Sequence, residues 1–372
     1  MKRILALTVL IALLVGSLVA CKKKYKPVES SAEESRVVMT MTLNGKTYDV
    51  KYELYRAFFL TYKSEIDGGD DSVWSGESKE EYIALINERI IDEVAEIYAV
   101  FALCDVNGFD LYSDDVEDKI TEMIKVSVEG GTYGKEAYEG FGGDYDTYLA
   151  SLTAIYHNYS TAVLLMRYSI GRGMLDSYYI GGSRYDDNTG VLTDGKIEYT
   201  IDTIRNYYYS DAASLMLSTY IPEGVSYTPR EYAEEVRLEI VNEAKFGAEA
   251  VKILMINRGT PTAITELENG VLYGRYSLAR DYNALAEAAY LMKEGEVSKV
   301  IPTYAPNDGK RYYIMYKMEK SEEFFENFYA QIVEVYLYDT IGLMVDTAGD
   351  VLAGSVTYTD AYNDIIHGEV RM

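Results

Sequence analysis

The hydrophobic positions change period along the chain, and the changes predict its elements. Val37 to Leu43 and Lys46 to Lys51 flank Asn44-Gly45, the two-residue signal of a β-hairpin. Tyr55, Phe58, Phe59, Tyr62 and Ile66 then recur at helical spacing and predict an amphipathic helix. A second helix starts at Ser78-Lys79-Glu80-Glu81, which has the form of a capping box. It carries Ile83, Ile86, Ile90, Val94, Ile97, Phe101 and Cys104 in alternating steps of three and four, which make one apolar seam, and it stops near Gly108. A third begins at Ser113-Asp114-Asp115, where acidic residues suit a helix N-terminus, and carries Val116, Ile120, Met123 and Ile124. Beyond a Gly-rich loop from Glu129 to Gly143, Tyr145 to Tyr168 and Met174 to Ile180 are expected as helices. The polar connection Gly181 to Gly195 marks a domain boundary.

From Ile197 helices and strands mix. Tyr199 to Tyr208 is helical in pattern and Asp211 to Thr219 is a strand candidate. Thr228 and Pro229 then open a long helix that reaches about Lys252. Asn269 to Met318 holds a Gly turn, a helix from Asp281 to Lys293 stopped by Gly295, and two β-branched or aromatic runs. Those runs, Val297 to Thr303 and Lys310 to Met318, flank Pro306-Asn307-Asp308-Gly309 and predict a hairpin. In Ser321 to Leu352, Phe324, Phe325, Phe328, Ile332, Val335 and Tyr336 share one helix face. The fold class is α+β: a mainly helical part and a second unit with a small antiparallel sheet flanked by helices.

Composition narrows the functions. A chain of 372 residues has room for two domains, and 48% hydrophobic with 26% charged residues is globular. A net charge of −25 argues against nucleic acid, because neutralising phosphates needs Lys and Arg in excess. The 38 Tyr suit either an adaptable aromatic surface for peptides or ordinary filling of cores and strands. Cys104 lies on the apolar seam and is expected to be a packed thiol. His157 falls among Tyr and Leu in an expected helix, and His367 lies in a polar stretch without acidic or Cys neighbours at metal-ligand spacing. No metal, cofactor or catalytic residue is expected, and no hydrolase motif of the Gly-x-Ser-x-Gly or His-Glu-x-x-His kind occurs.

The N-terminus gives an address. Lys2 and Arg3 precede an apolar run from Ile4 to Val15 and the tetrad Leu18-Val19-Ala20-Cys21. The tetrad resembles the bacterial lipobox. That resemblance implies a signal peptide over 1–20, cleavage before Cys21, and a diacylglyceryl group on its thiol; two acyl chains make a stable anchor. With Cys21 lipidated, Cys104 has no Cys left to pair with. Residues 21–36 form a polar tether whose Lys22, Lys23 and Lys24 suit anionic head groups. A chain of that length reaches on the order of 20 Å. The expected location is the extracytoplasmic face of the cell membrane.

Four segments carry a second resemblance: Gly274-Arg275-Tyr276, Leu285-Ala286-Glu287-Ala288-Ala289-Tyr290, Lys293-Glu294-Gly295-Glu296-Val297-Ser298, and Arg311-Tyr312-Tyr313-Ile314-Met315. Together they resemble the parvulin-type, PpiC-like peptidyl-prolyl isomerase domain. The Asn-Gly hairpin, the helix after it and the Ser-Asp-Asp start resemble the N-terminal chaperone module of secreted foldases of the SurA and PrsA type. The resemblance implies a helical chaperone module over 37–195, an inserted parvulin-like domain over 196–319, and a C-terminal helix over 320–372 that returns to the module. It implies unfolded or nascent secreted polypeptides as partners, with the membrane reached through the lipid.

Prolyl isomerisation needs no nucleophile. The barrier to peptide rotation, about 18–20 kcal/mol, is lower for X-Pro and falls further when the imide is desolvated and twisted. By alignment Leu215 and Tyr313 stand where the family carries its two His, Leu285 replaces the pocket Phe, and the Met position falls at Asp281 or Tyr282. The implied pocket positions are Leu215, Leu217, Tyr276, Tyr282, Leu285 and Tyr313, and with both His replaced a weak or inactive isomerase is expected. The reading from another class is a solute-binding lipoprotein of a transport system, motivated by the anchor and the Tyr richness. It predicts two similar lobes of alternating strand and helix.

Overall fold

A computed structural model describes residues 25–67, 70–133, 136–181, 195–219, 229–258, 271–276, 285, 288–305 and 309–365. The chain divides into two compact units. One runs from Asp176 to Leu343, and its sequence interrupts the other, which includes the described residues up to Leu175 and from Met344 on.

The outer unit starts with strands β1 (Val37–Leu43) and β2 (Lys46–Lys51), which pair antiparallel from Leu43 opposite Lys46. Asn44 at φ 53° and Gly45 at φ 80° give the tight turn the positive dihedrals that a two-residue hairpin requires. Helix α1 (Tyr52–Asp67) buries Tyr55, Phe58, Phe59 and Tyr62. Helix α2 (Lys79–Val106) buries the whole expected seam from Ile83 to Cys104. Its expected capping box does not form: Ser78 sits at φ −82°, ψ 2° and its side chain makes no cap bond. An N-cap side chain reaches the N3 amide from extended backbone, and Ser78 is not extended.

Helix α3 (Asp114–Glu129) follows Ser113, which is extended but likewise makes no side-chain cap bond. The Gly-rich loop contains a short antiparallel ribbon, β3 (Gly131–Tyr133) with β4 (Glu136–Tyr138). The helix expected over Tyr145 to Tyr168 is two helices, α4 (Tyr145–Ala154) and α5 (Tyr159–Ile180). Between them Tyr156 adopts φ 64°, and Asn158 restarts the chain by accepting the Thr161 amide at 2.8 Å. Helix α5 passes without a break through Gly171, where an added Cβ would meet Val100, Cys104 and Leu111 at 3.1–3.2 Å.

In the inner unit, α6 (Ile201–Ser210) opens with a capping box between Thr200 and Thr203 and leads into β5 (Ala213–Thr219). The long helix expected from Pro229 is two, α7 (Pro229–Glu243) and α8 (Ala248–Arg258), because Gly247 at φ 99° turns the chain. Strands β6 (Val271–Tyr273), β7 (Ile301–Ala305) and β8 (Gly309–Lys317) complete an antiparallel sheet in the order β6-β5-β8-β7.

Alternation along β8 divides the core of this unit. Ile314 and Tyr316 pack with Ala233, Val236, Ile240, Val251 and Met255 of α7 and α8. Tyr313 and Met315 pack with Leu285, Ala289 and Ile301. A third cluster joins Leu272 of β6 and Ile204, Tyr207 and Tyr208 of α6 to two further helices, α9 (Glu322–Asn327) and α10 (Tyr329–Ala353). The sequence pattern predicts one helix here; the interruption falls at Phe328, and Ser321 caps α9 by accepting the Phe324 amide.

The last strand, β9 (Thr357–Tyr358), belongs to the outer unit. It pairs with β1 through Thr40 and Met39, giving the order β2-β1-β9. The chain thus closes on its own first hairpin. The whole is α+β and mostly helical, as the pattern predicts.

Candidate functional site

Three of the four motif-bearing segments of the inner unit meet around β8. Gly295 adopts φ 81°, its amide donates to the Lys317 carbonyl at 2.8 Å, and the Lys317 amide donates to the Glu296 carbonyl at 3.0 Å. The Glu296 carboxylate accepts the Lys293 amide at 2.8 Å and so closes its own turn. Ser298 is buried; its amide donates to the Met315 carbonyl and its hydroxyl accepts the Met315 amide at 2.9 Å. Arg237 of α7 donates to the Ser298 carbonyl at 2.7 Å. The Gly-Glu-Val-Ser block therefore works as a clamp that holds the 293–300 segment on β8.

Leu285 and residues 288–291 are helical, and Lys317 closes that helix by donating to the carbonyls of Ala289 and Met292 at 2.9 and 3.0 Å. A cation at a helix C-terminus is favoured by the dipole and by the open carbonyls. Burial pulls the Lys317 pKa down, against the neighbouring Glu294 and Glu296, which raise it.

Of the expected pocket residues, Leu285 and Tyr313 come together in one cluster with Ala289, Ile301 and Met315, flanked by Tyr273, Ala288, Tyr290 and Met292. Both are interior, at 0% and 4% exposure, so neither offers a surface to a ligand. In the sheet register Leu217 lies opposite Met315, and Leu215 lies opposite Lys317 and Val271. The side chains of Leu215 and Leu217, and all of Tyr282, lie outside the described residues. Tyr276 packs on α10: its Cβ and ring occupy the space that a side chain at Gly342 would need.

Two participants were missed by the sequence reading. Tyr273 reaches the cluster from the short strand β6, and the Tyr290 hydroxyl donates to its carbonyl at 3.3 Å. Asp339 of α10, 6% exposed, accepts the Tyr207 hydroxyl at 2.8 Å, the Arg275 amide at 2.7 Å and the Tyr276 amide at 3.0 Å. Burial and the Asp339 charge push the Tyr207 pKa far up, so that phenol stays a donor. The nearest sequence signal for Asp339 is an acidic residue on an otherwise apolar helix face, which alone names no partner.

Among the described residues no group of three or more His, Cys, Asp or Glu is placed to hold a metal. His157 is buried in the break between α4 and α5 of the outer unit. Cys104 is buried as expected; burial pushes its thiol up to about 12, and it donates weakly to the Gly171 carbonyl at 3.5 Å. The lipobox and Cys21 lie outside the described residues, as does His367. No helix among the described residues is long and apolar enough to cross a membrane.

No protein-family model matches the sequence, and no curated protein matches it. Among solved structures, the foldase protein PrsA from Lactococcus lactis aligns with 14% identity over 88% of this chain and 96% of that one, at a TM-score of 0.24. Foldase protein PrsA from Streptococcus pneumoniae aligns with 13% identity over 76% and 90%, at 0.27. PrsA from Bacillus subtilis aligns with 16% identity over 86% and 93%, at 0.23.

Proposed function

We propose that this chain is a lipid-anchored, extracytoplasmic foldase that holds unfolded secreted polypeptides, with an inserted parvulin-like unit that has lost prolyl isomerase activity. The observation that carries the reading is the nested order of the chain: a unit with an antiparallel sheet interrupts a helical unit whose last strand, β9, pairs with its first, β1. The sequence resemblance implies the same plan, and the lipobox supplies the anchor at Cys21. The residues at the resemblance-implied positions support loss of catalysis. The resemblance puts Leu215 and Tyr313 where the family carries its His pair, and Tyr313 is core.

Exposed apolar side chains support client holding: Val106 and Tyr112 on the helical outer unit and Leu238, Phe246 and Leu291 on the inner unit are all more than half exposed. The solute-binding reading has less behind it, since every described sheet is antiparallel and the two units differ in plan.

The test uses the soluble chain from Lys22 onward. It should suppress aggregation of a chemically unfolded client at stoichiometric ratios, while a protease-coupled proline-peptide assay runs at the uncatalysed rate. Absence of aggregation suppression sinks the foldase reading, and a catalysed rate sinks the claim that activity is lost. In cells, Cys21→Ala should move the protein from the membrane fraction to the soluble one; unchanged membrane retention would refute the anchor.

A further inference from the structure

Asp339 and the Gly274-Arg275-Tyr276 turn are 63 or more residues apart in sequence and fit each other in three independent ways. The carboxylate accepts two consecutive backbone amides of the turn, at 2.7 and 3.0 Å, and the Tyr207 hydroxyl from α6. Gly274 lies so close that a Cβ there would overlap the Asp339 carboxylate. One helical turn along α10, Gly342 lies so close to the Tyr276 side chain that a Cβ there would overlap it. Residues three apart share a helix face, so α10 presents a carboxylate and a notch side by side. The turn answers with a notch and a ring in the same order. A buried carboxylate taking three donors also cannot be released cheaply, because each donor would be left without its charged partner.

The turn ends β6, which among the described residues pairs only with β5, at one edge of the sheet. Strand β6 sends Leu272 into the cluster built by α6 and α10, and Tyr273 into the cluster of Leu285 and Tyr313. We propose that Asp339 is a positioning residue: it acts as an internal anion ligand for the turn amides, and so fixes β6 and, through Tyr273, one side of the Leu285–Tyr313 cluster. The position of the turn is set by α10, which the parvulin-like motifs do not include. A further step, from that cluster to client holding, rests on the foldase reading above; the step from Asp339 to β6 does not.

The test is hydrogen exchange on the full soluble chain. In Asp339→Asn the side chain keeps its shape and loses its charge and one acceptor. Exchange at the Arg275 and Tyr276 amides should accelerate about tenfold or more, the scale of a lost hydrogen bond to a charged group. Amides of Ser298 and Met315, held by the clamp on β8, should stay within about twofold of the wild type, as expected for a local opening. Unchanged exchange at 275 and 276, or equal acceleration across the sheet, overturns the proposal. Gly342→Ala decides the matter if Asp339→Asn does not fold, since it displaces Tyr276 without touching the carboxylate and should give the same localised acceleration. Aggregation suppression is measured on the same proteins. Weaker suppression by the variant supports the client step, and equal suppression by variant and wild type overturns it. No suppression by the wild type refutes the foldase reading and leaves the exchange result to judge the latch.

Discussion

At the scale of single residues, one close approach in the interior of the outer unit is open to test. Gly171 of α5 faces Val100, Cys104 and Leu111 at distances that leave no room for branching. Gly171→Val should therefore destabilise the unit by about 1–3 kcal/mol, the cost of overpacking a filled core. Trp74, the only Trp of the chain and itself buried in this unit, reports the unfolding by fluorescence. An unchanged urea midpoint would show that the core relaxes freely there. Cys104 adds a pH dependence with a definite sign. Its folded pKa is raised from 9.0 to about 12 by burial, so its contribution is complete below pH 9 and is lost as pH rises through that window. Wild type should lose more stability than Cys104→Ala between pH 9 and about 12; equal losses would assign the alkaline decline to the buried tyrosines alone. That Cys104 is packed could be read from the seam, since seven positions in register leave little choice. Asp339 and Tyr273 could not, because their partners are brought by tertiary contact and no local pattern encodes them.

At the scale of elements, the chain marks its helices more clearly than it marks their ends. Ser78, Ser113 and Asp144 all look like caps by residue type, yet only Asp144 caps through its side chain, by accepting the amides of Asp146 and Thr147 at 3.0 and 3.2 Å. These bonds also hold its carboxyl below the usual range, the Thr147 hydroxyl and amide contributing most. Asp144→Ala should lower the urea midpoint of the outer unit, and Ser113→Ala should leave it within error. A drop of the same size in both would mean that intrinsic preference at the cap, and not the bond, sets the cost. The breaks are hard to read for related reasons. Gly247 is hidden by the helical pattern that runs on to Lys252, although only glycine takes its φ of 99° at little cost. Tyr156 at φ 64° is invisible, since nothing about a Tyr announces a left-handed backbone. Strand β9, two residues long, has no period of its own and exists through its register with β1.

At the scale of the whole molecule, the question is where the inserted unit ends, and the motifs and the packing answer differently. Motif resemblance places it over residues 196–319, which takes in the clamp, the hairpin and the helix ended by Gly295. The cluster beneath β6, however, draws Phe325, Ile332, Val333, Leu337 and Ile341 from α9 and α10, all beyond residue 319. Four of these five are large aliphatic side chains at 0–2% exposure, each a residue whose burial contributes about 1.5–3 kcal/mol. Removing them would expose Ile204, Tyr207, Tyr208 and Leu272 and strip the Gly274–Tyr276 turn of Asp339. A domain is only marginally stable overall, so a loss on this scale exceeds what it can absorb. We therefore expect a fragment spanning 176–343 to unfold in one cooperative urea transition by circular dichroism, and a fragment spanning 196–319 to show none. Equal cooperativity in both fragments would make α9 and α10 dispensable to the sheet. It would return the boundary to the place the motifs suggest, and would leave Asp339 holding a turn that does not need it.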